Sequence, residues 1–515
     1  MAVSTASANR RRVLVVNAFF DEYRRTTGSP YRIPRAMGAV YLAGAFAPAR
    51  WDVRIHNEQH SGPLQDLALL GWPDMLVLTG VTSSFDRMLQ LTAYARTLNP
   101  AVIVVAGGAP IRALPKRARQ FFDYVCLGDI EQLQTIVRAL FGPDHAAEEI
   151  FPRFDLNPPA KLIAYAESSR NCNFRCSFCS LTAEQGKYQP YDLDYVRRQI
   201  AAAGHKQIVF IDNNFYGNDR SFFLARVEML REFYEKRRIK GWSALVTGDF
   251  FRQPDNLGLV RRAGCTTMFS GVESFDAATL RGFNKRHNLL VPQVEMIREC
   301  LRAGIYFAYG LMLDPSTRRL DDLRREIEFV VGAHEITLPA FFTLAIPLLG
   351  TPYFHACMGE RLFFPNTRLR DLDGVTLTMR PLDPLPDVID FVQGLPSLRG
   401  YRTAVWRHVV AFLGRYARHL DRTQLAAEIV TATLISTQTF ATSPGRLARR
   451  GVRPTYYGPT QPLDPLYTPL IRVAEKYRDH FRPTMVTDEA AEPHADIMAD
   501  LTPALSSATS AVNRR

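Results

Sequence analysis

The sequence predicts an α/β protein in three parts, mainly from the placement of its apolar segments. Apolar runs of strand length alternate with helical segments over residues 12–142, and the alternation returns over 162–360. Strands separated by such helices pair in parallel through right-handed crossovers, so the first part is a Rossmann-like, doubly wound sheet. Residues 361–483 show helical periodicity instead, from Tyr401 to Thr437, and predict a mainly helical C-terminal domain that covers the active-site end of the barrel or helps to form the substrate pocket.

The composition is that of a globular protein, since hydrophobic residues make up 47% and charged residues 22% of 515 positions. No apolar run reaches the length of a membrane span, and the basic N-terminal segment lacks the apolar stretch of a secretory signal. We therefore expect a cytoplasmic protein with reduced thiols rather than disulfides. Polar composition predicts disordered tails at 1–11 and 484–515, and prolines mark a linker at 143–161.

The formal net charge is +12, from 63 basic and 51 acidic residues. Such a balance can attract nucleic acid, anionic lipid or an acidic substrate. No aromatic and basic pattern typical of RNA binding is present, so we favour a solvated, arginine-rich surface and expect no nucleic-acid partner.

The first part contains five predicted strands, at 13–19, 51–55, 74–79, 101–106 and 123–127. Helices are predicted at 33–46 and 85–98, with a third ending at Phe141. A doubly wound sheet binds its ligand at the carboxyl ends of its strands. Glycine and small hydroxyl residues, which let a large ligand approach the backbone, follow two of these strands at 79–84 and 107–110.

Three cysteines, Cys172, Cys176 and Cys179, stand in C-x3-C-x2-C spacing directly after the apolar run 162–166. A loop after a strand is where α/β folds place their chemistry, and thiolates suit iron–sulfur clusters or zinc. Three thiolates on a cluster that normally takes four leave one iron open. A zinc site or plain core packing is the alternative, but no second C-x2-C pair exists. The other cysteines are isolated: Cys126, Cys265, Cys300 and Cys357.

This motif, with the aromatic Phe178 before its last cysteine, resembles the radical S-adenosylmethionine (radical SAM) superfamily. The resemblance implies a 4Fe–4S cluster on the three cysteines, which would act as the catalytic and metal-binding residues. It also implies that SAM binds the open iron and is cleaved to a 5′-deoxyadenosyl radical. Six predicted strands, at 162–166, 207–212, 242–247, 267–273, 306–313 and 340–346, fit the partial (β/α)6 barrel of that family.

Later motifs extend the resemblance to residue 360. Residues 210–215 are similar to the family's F-x-D-D-N-F element and supply Asp212 and Asn214 as cofactor-binding candidates. Residues 271–274 are similar to its G-I-E-S element, which implies that Glu273 and Ser274 contact SAM. Lys285 could supply a cation to the SAM carboxylate, and residues 348–352 resemble the P-G-T-P element that closes the barrel.

A Rossmann-like domain ahead of this motif resembles the radical SAM subfamily that binds cobalamin. The resemblance implies that the hydroxyl-rich and Gly-Gly turns hold the corrinoid, through Thr79, Thr82, Ser83, Gly107 and Gly108. The first loop lacks the D-x-H-x-x-G histidine that ligates cobalt in classical cobalamin domains, and His60 follows the wrong strand. Many subfamily members also lack that histidine, and a corrinoid-free domain is the alternative.

The resulting hypothesis is a cobalamin-dependent radical SAM C-methyltransferase that acts on an unactivated carbon. One alternative keeps the architecture but performs cyclisation, rearrangement or oxidation, and a remote one is a non-catalytic iron–sulfur or corrinoid sensor. The expected partners are a small-molecule or natural-product substrate and an electron donor such as flavodoxin or ferredoxin.

Overall fold

The computed structural model describes residues 10–20, 37–156, 162–395, 398–437 and 467–486. The predicted tails fall almost wholly outside these ranges, as do the last residues of the linker. Within them the predicted α/β class is confirmed, with two parallel sheets and a helical C-terminal region.

The N-terminal domain is a five-stranded parallel sheet in the order β2-β1-β3-β4-β5. This is one of the two common doubly wound orders, with the switch point between β1 and β3. The strands are β1 Arg11–Asn17, β2 Trp51–Asn57, β3 Met75–Thr79, β4 Ile103–Gly107 and β5 Tyr124–Cys126. The helices are α1 Gly38–Ala43, α2 Glu58–Ser61, α3 Leu67–Gly71, α4 Phe85–Leu98, α5 Ala109–Ala113, α6 Pro115–Phe121 and α7 Ile130–Phe141.

The central domain is a curled half-barrel of six parallel strands in the order β13-β12-β11-β10-β9-β6. Its strands are β6 Ile163–Ala166, β9 Gln207–Phe210, β10 Gly241–Leu245, β11 Cys265–Glu273, β12 Tyr306–Leu313 and β13 Phe341–Leu344, with a small hairpin of β7 Ser169–Arg170 and β8 Gln189–Pro190. Its helices are α8 Ser180–Glu184, α9 Leu193–Ala203, α10 Arg220–Glu235, α11 Asn256–Arg262, α12 Ala277–Gly282, α13 Gln293–Arg302, α14 Leu320–Gly332 and α15 Pro352–Gly359.

The C-terminal helices are α16 Leu385–Gly394, α17 Tyr401–Tyr416 and α18 Arg422–Thr437. The side-chain amide of Gln424 donates hydrogen bonds to the carbonyls of Thr266 and Gly304, at the amino-terminal ends of β11 and β12. The α17–α18 hairpin therefore lies at the end of the barrel opposite the cysteines, and the expectation that it covers the active-site end is wrong. The apolar periodicity of these helices indicates that one face of each is buried. It does not indicate at which end of the barrel the helices lie.

Two irregular segments from the C-terminal part of the chain pack on the N-terminal domain. Residues Leu369–Asp371 form a 3-10 turn against the Thr82–Ser84 turn of the N-terminal domain. Residues 467–486 lie on the same domain, where the Thr484 amide donates to Asp86 at 3.1 Å and Val486 is fully buried. The predicted tail therefore cannot begin at residue 484, because residues 484–486 are packed.

No helix among the described residues is long and apolar enough to span a membrane.

Candidate active site

The three motif cysteines lie on the loop that follows β6, at the carboxyl end of the half-barrel. Cys176 is 7% exposed, and its thiol is close enough to those of Cys172 and Cys179 to affect their ionisation. Burial raises the pKa of all three thiols, that of Cys176 to about 11, while the Lys285 ammonium opposes the rise. Because metals bind thiolates, metal loading of this loop must release protons.

Zinc and a cluster, the two metal sites considered from the sequence, differ in the number of ligands they need. In the described part of the chain, no group of three Cys, His, Asp or Glu side chains is placed to hold a single metal ion. A structural zinc site is closed by four ligands, whereas a four-iron cluster on three thiolates leaves one iron open.

Asp212, which follows β9, fixes the position of the start of the cysteine loop through hydrogen bonds. The Asp212 carboxylate is 1% exposed and accepts hydrogen bonds from the Ser168 amide at 2.8 Å and the Ser169 hydroxyl at 2.6 Å. Arg226 of α10, also fully buried, pairs with the same carboxylate at 3.3 Å. Asp212 was predicted to bind a cofactor, but its carboxylate oxygens accept hydrogen bonds from the protein and orient the loop. Sequence reasoning missed Ser168, Ser169 and Arg226.

Asn214 holds the middle of the same loop. It is fully buried, and its side-chain nitrogen donates a hydrogen bond to the side-chain oxygen of Asn173 at 2.7 Å. Asn173 directly follows Cys172 in the sequence. Farther along, the Ser177 amide donates to the Phe283 carbonyl at 2.9 Å, and the Tyr353 amide donates to the Ser177 carbonyl at 3.0 Å. The loop is therefore fixed at several points by the surrounding barrel.

Glu273 and Lys285 form a partly buried ion pair beside the cysteines, with Nζ 3.2 Å from Oε1. Glu273 ends β11 at a bulge and has φ +62°, a left-handed conformation that a residue with a Cβ adopts only under constraint. Burial lowers the pKa of Lys285, but the Glu273 carboxylate and the nearby thiols outweigh it and leave the pKa raised. Within the described residues, Oε2 of Glu273 accepts no hydrogen bond, so it can receive one from an ammonium or hydroxyl.

Phe178 and Ser274 have different surroundings, although both were predicted to bind cofactor. The Phe178 ring packs edge-on to Phe283 and lies 5.5 Å from the Lys285 ammonium, so it belongs to the cysteine and lysine cluster. Ser274 is fully buried and donates to Glu326 of α14 at 2.6 Å. Its hydroxyl therefore serves the contact between β11 and α14, away from Glu273.

A cavity of about 240 Å³ lies at the carboxyl ends of β3, β4 and β5. Thr79, Gly107 and Gly108, which the sequence suggested as corrinoid-binding residues, line it together with apolar side chains. Gly108 has φ +95°, and a Cβ there would stand 2.9 Å from the Gly80 carbonyl and 3.1 Å from the Thr79 hydroxyl. Only glycine fits this turn without displacing its neighbours.

Thr82 and Ser83 do not line the cavity. They are 5% and 3% exposed and pack against the Leu369–Asp371 turn. They therefore contribute to the contact between the N-terminal domain and that turn.

The cavity also receives residues from the barrel, which the sequence did not reveal. Glu167 and Arg170, just ahead of Cys172, line its opposite wall. The Tyr191 hydroxyl donates to Glu167 at 2.8 Å, and burial raises the pKa of Glu167 to about 7. Arg170 reaches back to Glu131 of α7 at 2.8 Å. The cysteine loop and the N-terminal cavity are therefore adjacent, joined through residues 167–170.

Comparison with family models agrees with this arrangement. Residues 167–327 match the model described as Radical SAM superfamily, and residues 27–137 match the B12 binding domain. The chain therefore carries a Radical SAM domain and a B12-binding domain. These two domains imply a 4Fe–4S cluster and SAM in the barrel and cobalamin in the N-terminal domain, as predicted.

The relatives it matches in sequence include two named methyltransferases. It is 24% identical over 305 residues to the hopanoid C-2 methylase of Rhodopseudomonas palustris, covering 54% of this chain and 56% of that one. It is 25% identical over 317 residues to the bacteriochlorophyllide d C-8(2)-methyltransferase of Chlorobaculum tepidum, covering 55% of this chain and 68% of that one. The chain thus spans little more than half the hopanoid methylase.

A solved structure shares the fold. The cobalamin-dependent S-adenosylmethionine radical enzyme OxsB with aqua-cobalamin bound superposes with a TM-score of 0.56 at 15% identity, covering 83% of this chain and 72% of that one. At this identity the likeness supports the architecture alone.

The described residues fit the implied groups. One buried and two partly buried thiols beside a cation suit a cluster, and the Glu273 oxygen that accepts no hydrogen bond within the described residues suits SAM. The cavity of about 240 Å³ lies where a doubly wound sheet binds its ligand and has room for part of a corrinoid.

Proposed function

We propose that this protein is a cobalamin-dependent radical SAM methyltransferase that acts on an unactivated carbon of a small molecule. One observation supports this most directly: Glu167 and Arg170 line the B12-domain cavity and immediately precede the cysteine loop. A single substrate could therefore reach both cofactor positions. The methyltransferase names of the sequence relatives support the same reaction type.

In this proposal Cys172, Cys176 and Cys179 hold the cluster. When bound, the three cofactors supply the radical and methyl-transfer chemistry. Glu273 binds the amino group or ribose hydroxyls of SAM through the oxygen that accepts no hydrogen bond within the described residues, and Lys285 places a positive charge beside the thiolates and the SAM carboxylate.

Asp212 and Asn214 act as positioning residues, because their contacts fix the cysteine loop. Thr79, Gly107 and Gly108 form the wall of the corrinoid site, and Thr82 and Ser83 support that wall from behind.

The proposal also includes a small-molecule substrate and a one-electron donor of the flavodoxin or ferredoxin kind. A cytoplasmic location stays a prediction.

The cluster assignment is tested with the variant Cys176→Ala. We expect iron to be lost and 5′-deoxyadenosine formation from SAM under dithionite to stop, because two thiolates cannot replace three. Cys300→Ala is the matched control, since Cys300 is also fully buried but lies in the barrel core. Retained SAM cleavage in Cys176→Ala would refute the assignment.

The reaction type is tested on wild-type protein supplied with SAM, hydroxocobalamin and reductant. Methyl transfer yields S-adenosylhomocysteine as well as 5′-deoxyadenosine, and methylation adds one CH2 unit to the product mass. Formation of 5′-deoxyadenosine alone would favour a non-methyl radical reaction instead.

A further inference from the structure

The surface around the cysteine loop has an unusual charge distribution. Residues 168–188, which contain the loop, include one acidic residue, Glu184, and residues 277–290 beside it include none. Glu184 is bound to Arg112 of the N-terminal domain. Four basic side chains on these two segments are exposed to solvent: Arg175, Lys187, Arg281 and Arg286. We call these four residues the basic patch.

Contacts within the protein bring three residues of the basic patch close together. The Arg175 guanidinium donates to the Gly186 carbonyl at 3.1 Å, which places it beside Lys187. The Asn284 side-chain amide donates to the Arg175 carbonyl at 2.7 Å, and the Asn284 backbone amide donates to the Arg281 carbonyl at 3.0 Å. Arg175 also lies between the proposed ligands Cys172 and Cys176 in the sequence, so the patch includes an exposed position of the cysteine loop itself.

The charges of this patch are not neutralised within the described part of the chain. None of its four side chains forms an ion pair there, whereas many other surface arginines do, such as Arg220 with Asp255 at 2.8 Å. Asp276, the nearest acid along the chain to Arg281, accepts hydrogen bonds from Thr279 at the start of α12. A local excess of positive charge raises the concentration of acidic partners and speeds their association.

We propose that the basic patch is the docking surface for an acidic one-electron carrier protein. The inference rests on the proposed function, because a radical SAM centre needs a reductant delivered close to its cluster. The transfer moves one electron from the carrier to the cluster, with no bond formed or broken, so the carrier is oxidised as the cluster is reduced. Charge complementarity and the position of Arg175 between two cluster ligands single out this partner among anionic ones.

Binding is tested with oxidised flavodoxin as the probe, so that no catalysis is required. The variant pair Arg281→Glu and Arg286→Glu reverses two charges without altering the cysteine segment. We expect flavodoxin affinity at 50 mM salt to fall at least about tenfold, and the salt dependence of binding to become shallower. The matched control reverses Arg402 and Arg407, two exposed arginines of α17 at the other end of the barrel, and should bind like wild type.

Activity distinguishes this inference from the proposed function. With dithionite, the patch variant should form 5′-deoxyadenosine at the wild-type rate and retain its iron, while with reduced flavodoxin its rate should fall about tenfold. No deoxyadenosine from wild type under dithionite would instead count against the proposed function. Unchanged flavodoxin binding in the patch variant would overturn the docking surface. So would an equal loss of binding in the α17 control, or loss of binding to anionic phosphatidylglycerol vesicles with flavodoxin binding unchanged.

Discussion

At the scale of the residue, Asp212 shows how a motif position can serve a site without touching its ligand. Its carboxylate is buried with Arg226 and accepts hydrogen bonds from two consecutive residues, Ser168 and Ser169, at the start of the cysteine loop. A buried charge is stable only while its partner remains. Asp212 therefore couples the ion pair to the position of the loop.

The variant Asp212→Ala should lower the free energy of unfolding by about 3–5 kcal/mol, because the Arg226 charge stays buried without its carboxylate. We also expect less iron per chain after reconstitution. The matched control is Asp255→Ala, which breaks an exposed pair with Arg220 and should cost about 1 kcal/mol or less. Denaturant midpoints and iron counts measure both effects, and equal midpoints for the two variants would contradict the role assigned to Asp212.

At the scale of the element, helix α18 is anchored to the barrel by one buried acid. Glu428 accepts hydrogen bonds from the Tyr306 hydroxyl at 2.8 Å and the Leu338 amide at 2.9 Å. Burial raises the pKa of Glu428 from 4.5 to about 7. The helix is thus attached through a carboxyl group that is protonated near neutral pH.

This pKa predicts a specific pH dependence. Between pH 4.5 and 7 the folded protein holds a proton on Glu428 that the unfolded chain has released, so its contribution to stability is full below pH 4.5 and decreases as pH rises through 7. Glu428→Gln removes the titration, and its free energy of unfolding relative to wild type, from denaturant titrations, should rise from pH 5 to pH 7.5 by up to about 3 kcal/mol. Glu299→Gln, at an exposed position, is the matched control. A constant difference for Glu428→Gln would disprove the assigned pKa.

The turn after β4 is a second element with a sharp requirement. Gly108→Ala would place a Cβ against Gly80 and Thr79 in a backbone conformation unfavourable for alanine. We expect cobalamin binding to weaken at least about tenfold, while iron content is kept. Gly142→Ala is the matched control, since Gly142 has φ +94° but no atom within 4 Å of its added Cβ. If both variants bind cobalamin as wild type does, the turn does not shape the site.

At the scale of the whole molecule, the sequence was sufficient for the fold class and for the elements whose apolar period is clear. Helix Phe85–Leu98 and strand Tyr306–Leu313 have the predicted bounds. Contacts between distant segments were not predictable. Nothing in the sequence indicates that Ser274 bonds Glu326, or that residues 467–486 pack on Asp86, because such pairs leave no local periodicity.

The whole molecule also brings its two proposed cofactor sites together. The Arg170–Glu131 and Arg112–Glu184 ion pairs hold the B12-binding domain against the cysteine loop. Because residues 167–170 border both sites, we expect one chain to bind cobalamin and the cluster at the same time. The proposed methylation of an unactivated carbon uses both cofactors.

The most direct test is made on anaerobically purified protein, reconstituted with iron and sulfide, incubated with hydroxocobalamin and desalted. Its ultraviolet–visible spectrum and its iron and cobalt content per chain are then measured. We predict about four irons and about one cobalt. Four irons without cobalt would contradict the shared site and leave the N-terminal domain as a scaffold for a different radical reaction.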